Sequence, residues 1–168
     1  MCYNYENIAV VNAPSKAFNI AGLHSSYLII KNKELSGKFD VLCHKEFLNS
    51  PSVFGYEATI GAYENGEEWI NEQNKHIKAN YEYLKNFLNQ ELPEVVVTKL
   101  EGTYLVWLDL SYTKMSCEDI LAKCNENGIV CSGGAQFCAD YGSYLRFNIA
   151  CPFEQLKEGI NRLVKAFK

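Results

Sequence analysis

Arginine is scarce in this chain. Only Arg146 and Arg162 stand among its 16 basic side chains, the rest being lysine. A basic run that could neutralise a line of phosphates is absent too: 16 basic against 20 acidic residues leave a net charge of -4, which excludes nucleic acid as an expected partner. Long hydrophobic runs are missing. The best stretches, "IAVV", "YLII" and "YLVWL", are strand-sized, and the opening "MCYNYEN" carries no basic leader, so no membrane partner is expected and the sequence reads as cytoplasmic. Cysteine is present seven times, but never as C-x-x-C, and an odd count cannot pair completely as disulfides. Cys117, Cys124, Cys131 and Cys138 recur every seven residues. Gly128 and the Gly133-Gly134 pair interrupt any one helix that would align them. The thiols therefore read as reduced and structural. A thiol-metal site using Cys43, His44 and the later cysteines lacks the tight ligand pairs of structural zinc, and no metal is expected.

What is present suits a globular protein: 168 residues with 48% hydrophobic side chains can fill a core. Proline marks segment ends. Asn7 to Val11 read as a buried strand stopped by Pro14, which forces Ala13 into an extended conformation. "SSYLIIKN" reads as a second buried strand, Glu34 to Leu48 as a helix, and the segment beyond Pro51 as a short packed helix. From Gly66 to Gln90 the stripe Ile70, Ile77, Tyr81, Leu84 and Leu88 predicts one long amphipathic helix. "EVVVTKLEGTYLVWLDLS" predicts a hairpin turning near Glu101-Gly102. Ser116 is a candidate N-cap for a helix over 117 to 127, with Gly128 beyond its end. "GIVCS" and "SYLRFNIA" follow as strands, and Pro152 opens a last helix with the stripe Leu156, Ile160, Leu163, Val164 and Phe167. Strands alternating with helices give a mixed α/β class divided by the long helix. The expected organisation is residues 1–64, a connecting helix 65–90, and a small domain 91–168. Residues 1–64 offer little with which to close a core alone.

Two residues could carry chemistry. Lys16, in "NAPSKAFNIAG", is the only formal charge from Asn7 to Ile30 with histidine neutral, and it follows a stiff corner among Ala13, Ser15 and Ala17. The ordinary alternative is an ammonium snorkelling to solvent. A partly desolvated amine instead becomes a nucleophile toward carbonyl carbon, and Schiff-base chemistry is its natural use. Arg146, in "YGSYLRFNIACPF", is the only charge between Asp140 and Glu154. An arginine kept where lysine is the rule suggests bidentate grip of a carboxylate, or else an internal ion pair.

"APSKAFNIAGL", "EGTYLVWLDL" and "YLRFNIACP" resemble, in order, three signatures of the class I/II aminotransferase superfamily, the fold-type I pyridoxal-phosphate enzymes. Within it the likeness is to the cystathionine β-lyase-like subgroup of carbon-sulfur lyases and aminotransferases. The resemblance covers essentially the whole chain. It implies the C-terminal portion of such an enzyme: a remnant of the cofactor-binding large domain over 1–64, the connecting helix, and most of the small α/β sandwich domain. It implies that Lys16 forms the internal aldimine with pyridoxal phosphate and then moves the proton at the substrate Cα. Arg146 would hold the α-carboxylate of an amino-acid substrate. A homodimer is implied as well.

Two positions depart from the family pattern. His24 stands where many relatives have a phosphate-contacting arginine, and Cys138 where many have a glycine. The family's phosphate-binding loop, ring-stacking aromatic and pyridine-facing aspartate lie in a segment before the lysine that has no counterpart here. This chain alone is therefore expected to be a poor catalyst or none. The competing expectation is a truncated, non-catalytic packing module that self-associates through an exposed sheet edge.

Overall fold

The computed structural model describes residues 7–48 and 52–168. Pro51, expected to mark a boundary, and most of the "MCYNYEN" opening lie outside the described residues. The chain forms two compact units, Met1–Glu72 and Gln73–Lys168, divided within a long helix.

In the first unit β1 (Ala9–Asn12) pairs with β2 (Tyr27–Ile30), Ala9 opposite Ile30 and Asn12 opposite Tyr27. The pairing is antiparallel. The physical reason is the connection: a Pro14–Asn19 turn and a short 3-10 turn, Ala21–Leu23, reverse the chain without the crossover helix that parallel strands need. Next come α1 (Lys33–Lys45), capped by the Asn32 side chain accepting from the Glu34 and Leu35 amides, and α2 (Val53–Asn65). Neither strand is buried as expected. Among the described residues of this unit only Pro14 and Gly55 are fully buried, while Phe47 is 88% and Phe54 78% exposed. A two-stranded ribbon and two helices have too few facing surfaces to close over one another.

The hydrophobic core belongs to the second unit. The helix α3 (Glu67–Glu91) buries Ile77, Leu84 and Leu88 there, with Tyr81 partly buried, as the 3.6-residue stripe predicts. Strands β3 (Val96–Val97) and β4 (Leu105–Asp109) form the expected hairpin. The Ser116 side chain caps α4 (Cys117–Glu126) by accepting from the Asp119 amide, and Gly128 leaves the helix at φ +74°.

"GIVCS" forms less strand than expected. Ile129 turns into the core, Val130 is 92% exposed, and only β5 (Ser132–Gly133) joins the ladder. Strand β6 (Tyr144–Asn148) and α5 (Phe153–Phe167) complete the chain, α5 starting directly after Pro152. The sheet order is β3-β4-β6-β5, with each neighbouring pair antiparallel.

Alternation gives this sheet two different faces. Val106, Leu108, Leu145 and Phe147 point into the core with Leu156, Ile160 and Leu163 of α5. Each such fully buried aliphatic side chain contributes about 1.5–3 kcal/mol. Leu105, Trp107, Asp109, Tyr144 and Arg146 stand on the opposite, half-exposed face.

Candidate functional site

Arg146 sits mid-strand on that half-exposed face. Trp107 is its partner across β4 and Ser132 its partner across β5, so the three side chains form one row over the sheet. One terminal guanidinium nitrogen of Arg146 donates to Ser132 Oγ at 3.3 Å. Its guanidinium carbon lies 4.6 Å from the centroid of the Phe137 ring, which meets the Trp107 ring edge-on at 5.3 Å. Among the described residues no carboxylate pairs with Arg146. The internal ion pair weighed from sequence does not form among the described residues, and a planar fork with donors to spare suits a carboxylate ligand.

The next row carries the complementary charge. Asp109 stands opposite Tyr144 and accepts from the Ser111 amide at 2.8 Å and from the Ser111 hydroxyl. Burial pushes its carboxyl upward, but the hydrogen bonds from the Ser111 hydroxyl and amide and from Tyr144 prevail and hold it below the ordinary range. Tyr144 is raised, chiefly by donating to Asp109. This carboxylate is thus satisfied locally.

Lys16 belongs to the first unit. Phe18 N donates to Pro14 O at 2.9 Å and Ile20 N to Ser15 O at 3.2 Å, closing a turn around it, and Asn19 adopts φ +54°. Two residues past the lysine, Phe18 stacks on Trp69 with centroids 5.9 Å apart and meets Tyr63 edge-on at 5.8 Å, which anchors the turn. Its amine makes no hydrogen bond or ion pair among the described residues. Partial desolvation was the expectation; Lys16 is in fact exposed, because its small neighbours wall in nothing and this unit has almost no buried residues. His24 is also exposed and caps the Ala21–Leu23 turn in a left-handed conformation.

Sequence reasoning singled out Lys16 and Arg146 but not Phe137, Trp107 and Ser132, which the structure brings around Arg146. Their proximity depends on strand register and on the loop after β5. Alternation within "YLVWLDL" was the available signal, since it sets Trp107 on the face opposite Val106 and Leu108.

Six cysteines, Cys43, Cys117, Cys124, Cys131, Cys138 and Cys151, are free thiols. Among the described residues no group of three or more His, Cys, Asp or Glu could hold a metal ion, and no helix is long and apolar enough to cross a membrane. A cleft of about 580 Å³, walled by Phe147, Gln155 and Arg162 among others, does not include Arg146. Its guanidinium is already engaged, Arg162 donating to Glu158 at 2.8 Å and to Gly128 O at 3.1 Å.

The chain is 31% identical over 155 residues to cystathionine β-lyase PatB of Bacillus subtilis (strain 168), covering 92% of this chain and 40% of that protein. Protein MalY of Escherichia coli (strain K12) is 29% identical, with 95% and 42% covered. The structure superposes on the pyridoxal-phosphate-bound C-S lyase of Staphylococcus hominis with a TM-score of 0.86 and 34% identity, covering 97% of this chain and 42% of that one. Cystalysin of Treponema denticola, which contains pyridoxal 5'-phosphate, gives a TM-score of 0.87 at 30% identity, with 96% and 41% covered. The chain thus spans about two fifths of the length of the relatives it matches. Its α/β architecture is a partial fold of the kind those enzymes share. A model of the family described as aminotransferase class I and II matches residues 3–163, and the chain belongs to that family.

Proposed function

We propose that this chain supplies the lysine and the carboxylate-binding arginine of a pyridoxal-phosphate-dependent enzyme acting on amino acids, either an aminotransferase or a cystathionine β-lyase-like carbon-sulfur lyase. The observation that carries the reading is Arg146: a guanidinium over the Phe137 ring with no carboxylate partner among the described residues, on a half-exposed sheet face. The residues present fit the cofactor, because an unpaired primary amine on an accessible turn can condense with an aldehyde. When bound, pyridoxal phosphate supplies a sink for the electrons left at the substrate Cα. Lys16 would hold the cofactor through its aldehyde carbon, the carbonyl oxygen leaving as water, and its amine would then be the group placed to hold and move the proton at Cα. Arg146 fixes the substrate α-carboxylate with parallel hydrogen bonds, which orients the bonds at Cα and so helps choose which one breaks.

Residues 1–64 serve as part of a cofactor-binding domain, 65–90 as a connecting helix and 91–168 as a small domain. With two fifths of the relatives' length, the chain by itself is proposed as a poor catalyst or none. A cytoplasmic homodimer is the proposed setting.

A second reading has an observation of its own: the apolar exposure of the first unit, including Phe47, Val53 and Phe54, suits a packing module that self-associates. The two readings separate in a cofactor titration followed by visible absorbance. Lys16 chemistry gives a saturable new band that disappears in Lys16→Ala without loss of fold. A band of equal strength in that variant contradicts the proposal and leaves the packing module.

A further inference from the structure

We propose that Phe137 is a positioning residue for Arg146, its ring fixing the plane of the guanidinium so that the free edge of the fork receives a planar carboxylate, the α-carboxylate of an amino acid. The inference rests on the carboxylate-binding reading of Arg146 and adds the group that orients it.

The geometry is built rather than incidental. Phe137 follows the 3-10 turn Gly134–Gln136 and precedes a second, Ala139–Tyr141. Its amide donates to Gly134 O at 2.9 Å, the Cys138 amide to the same oxygen at 3.2 Å, and the Tyr141 amide to Cys138 O at 3.1 Å. The loop closes so tightly that a Cβ at Gly134 would collide with the Tyr141 carbonyl oxygen and the Tyr144 side chain. That closure sets the Phe137 ring over Arg146, with Trp107 edge-on behind it.

Ser132 takes one nitrogen of the fork, the guanidinium carbon lies over the Phe137 ring at 4.6 Å, and the register partner Trp107 stands along one side. The donors that remain are the ones a carboxylate can reach. A guanidinium stacked on an aromatic face is also less hydrated, which strengthens the charge-assisted hydrogen bonds it makes. Phe137 itself is 50% exposed, so its ring is not a core side chain whose removal would unfold the unit.

The experiment uses the full chain and the Nε–H nitrogen-proton resonances of its two arginines, with Arg162→Lys identifying the Arg146 signal. L-alanine is titrated as the probe and ethylamine as its carboxylate-free counterpart. The Arg146 signal moves saturably with L-alanine and not with ethylamine. Phe137→Ala weakens that response by about five- to tenfold, the size of a partly desolvated cation–ring contact. Phe137→Tyr restores it and Phe137→Leu, which keeps bulk but not the ring face, does not. Equal affinity in parent and Phe137→Ala overturns the positioning role while leaving Arg146 as the carboxylate receptor. An Arg146 signal that stays silent in the parent overturns the receptor reading, and the positioning role with it.

Discussion

Trp107 and Arg146 stand directly opposite one another across β4 and β6, on the sheet face that points away from the core. The pairing places an aromatic wall beside a guanidinium that no carboxylate neutralises among the described residues. Replacing Arg146 with lysine keeps the charge and removes the fork. Affinity for amino-acid carboxylates falls by about tenfold or more, as expected where a point charge replaces bidentate hydrogen bonds. Isothermal titration with L-alanine checks the loss, and an unchanged urea midpoint confirms that packing is not its cause.

Asn80 is the one fully buried polar side chain of the described core. Its amide donates to Ile149 O at 2.8 Å and to Cys151 O at 3.0 Å, tying the end of β6 to α3. Asn80→Ala strands the Ile149 carbonyl, while the Cys151 carbonyl keeps its 2.8 Å contact with His76 Nε2, and destabilises the second unit by about 1–3 kcal/mol. Urea unfolding followed by tyrosine and tryptophan fluorescence measures it. A midpoint within error of the parent contradicts the assignment.

Asp109 gives the second unit an acid-sensitive contact. Its carboxyl is held below the ordinary value of 3.8 in the folded chain by Ser111 and Tyr144, against the upward push of burial. A depressed folded value means that the stabilisation is fully present above the unfolded value and is lost as pH falls through the folded one. Asp109→Asn therefore lowers the urea midpoint at pH 7 and converges on the parent in strong acid. A constant difference at all pH values contradicts the linkage.

Cys124 and Cys131 share a hydrogen bond inside the second unit. That bond, with burial, pushes the Cys131 thiol upward while Cys124 is lowered, and Cys124 has no exposed surface. Cys138 is exposed. Timed alkylation with iodoacetamide modifies Cys138 well before Cys124 or Cys131, because thiolate fraction and access set the rate. Modification of Cys131 at the rate of Cys138 contradicts the shared bond.

The second unit was legible in the sequence where periodicity was long. In the two stripes, Ile77, Leu84 and Leu88, and Leu156, Ile160 and Leu163, bury as read, while Ile70, Tyr81, Val164 and Phe167 are partly buried, since spacing near 3.6 residues fixes one face of a helix whatever it packs against. Short segments were less legible. In "GIVCS" the apolar residues could not reveal that Gly128 turns Ile129 inward and leaves Val130 in solvent, because two strand residues carry no usable period. Lys16 and Arg146 stood out as isolated charges, yet the surroundings of each depend on register, loop closure and burial. Those are tertiary properties: Phe137 reaches Arg146 only through the folded loop after β5, and Lys16 is exposed because its own unit closes no core.

Lys16 is the amine through which this chain is proposed to engage pyridoxal phosphate. The direct measurement is borohydride fixation of the bound cofactor, followed by peptide mapping across all lysines. Label concentrated on Lys16 at substoichiometric cofactor, and no comparable site in Lys16→Ala, is the result predicted. Label distributed among the surface lysines according to exposure alone would contradict it.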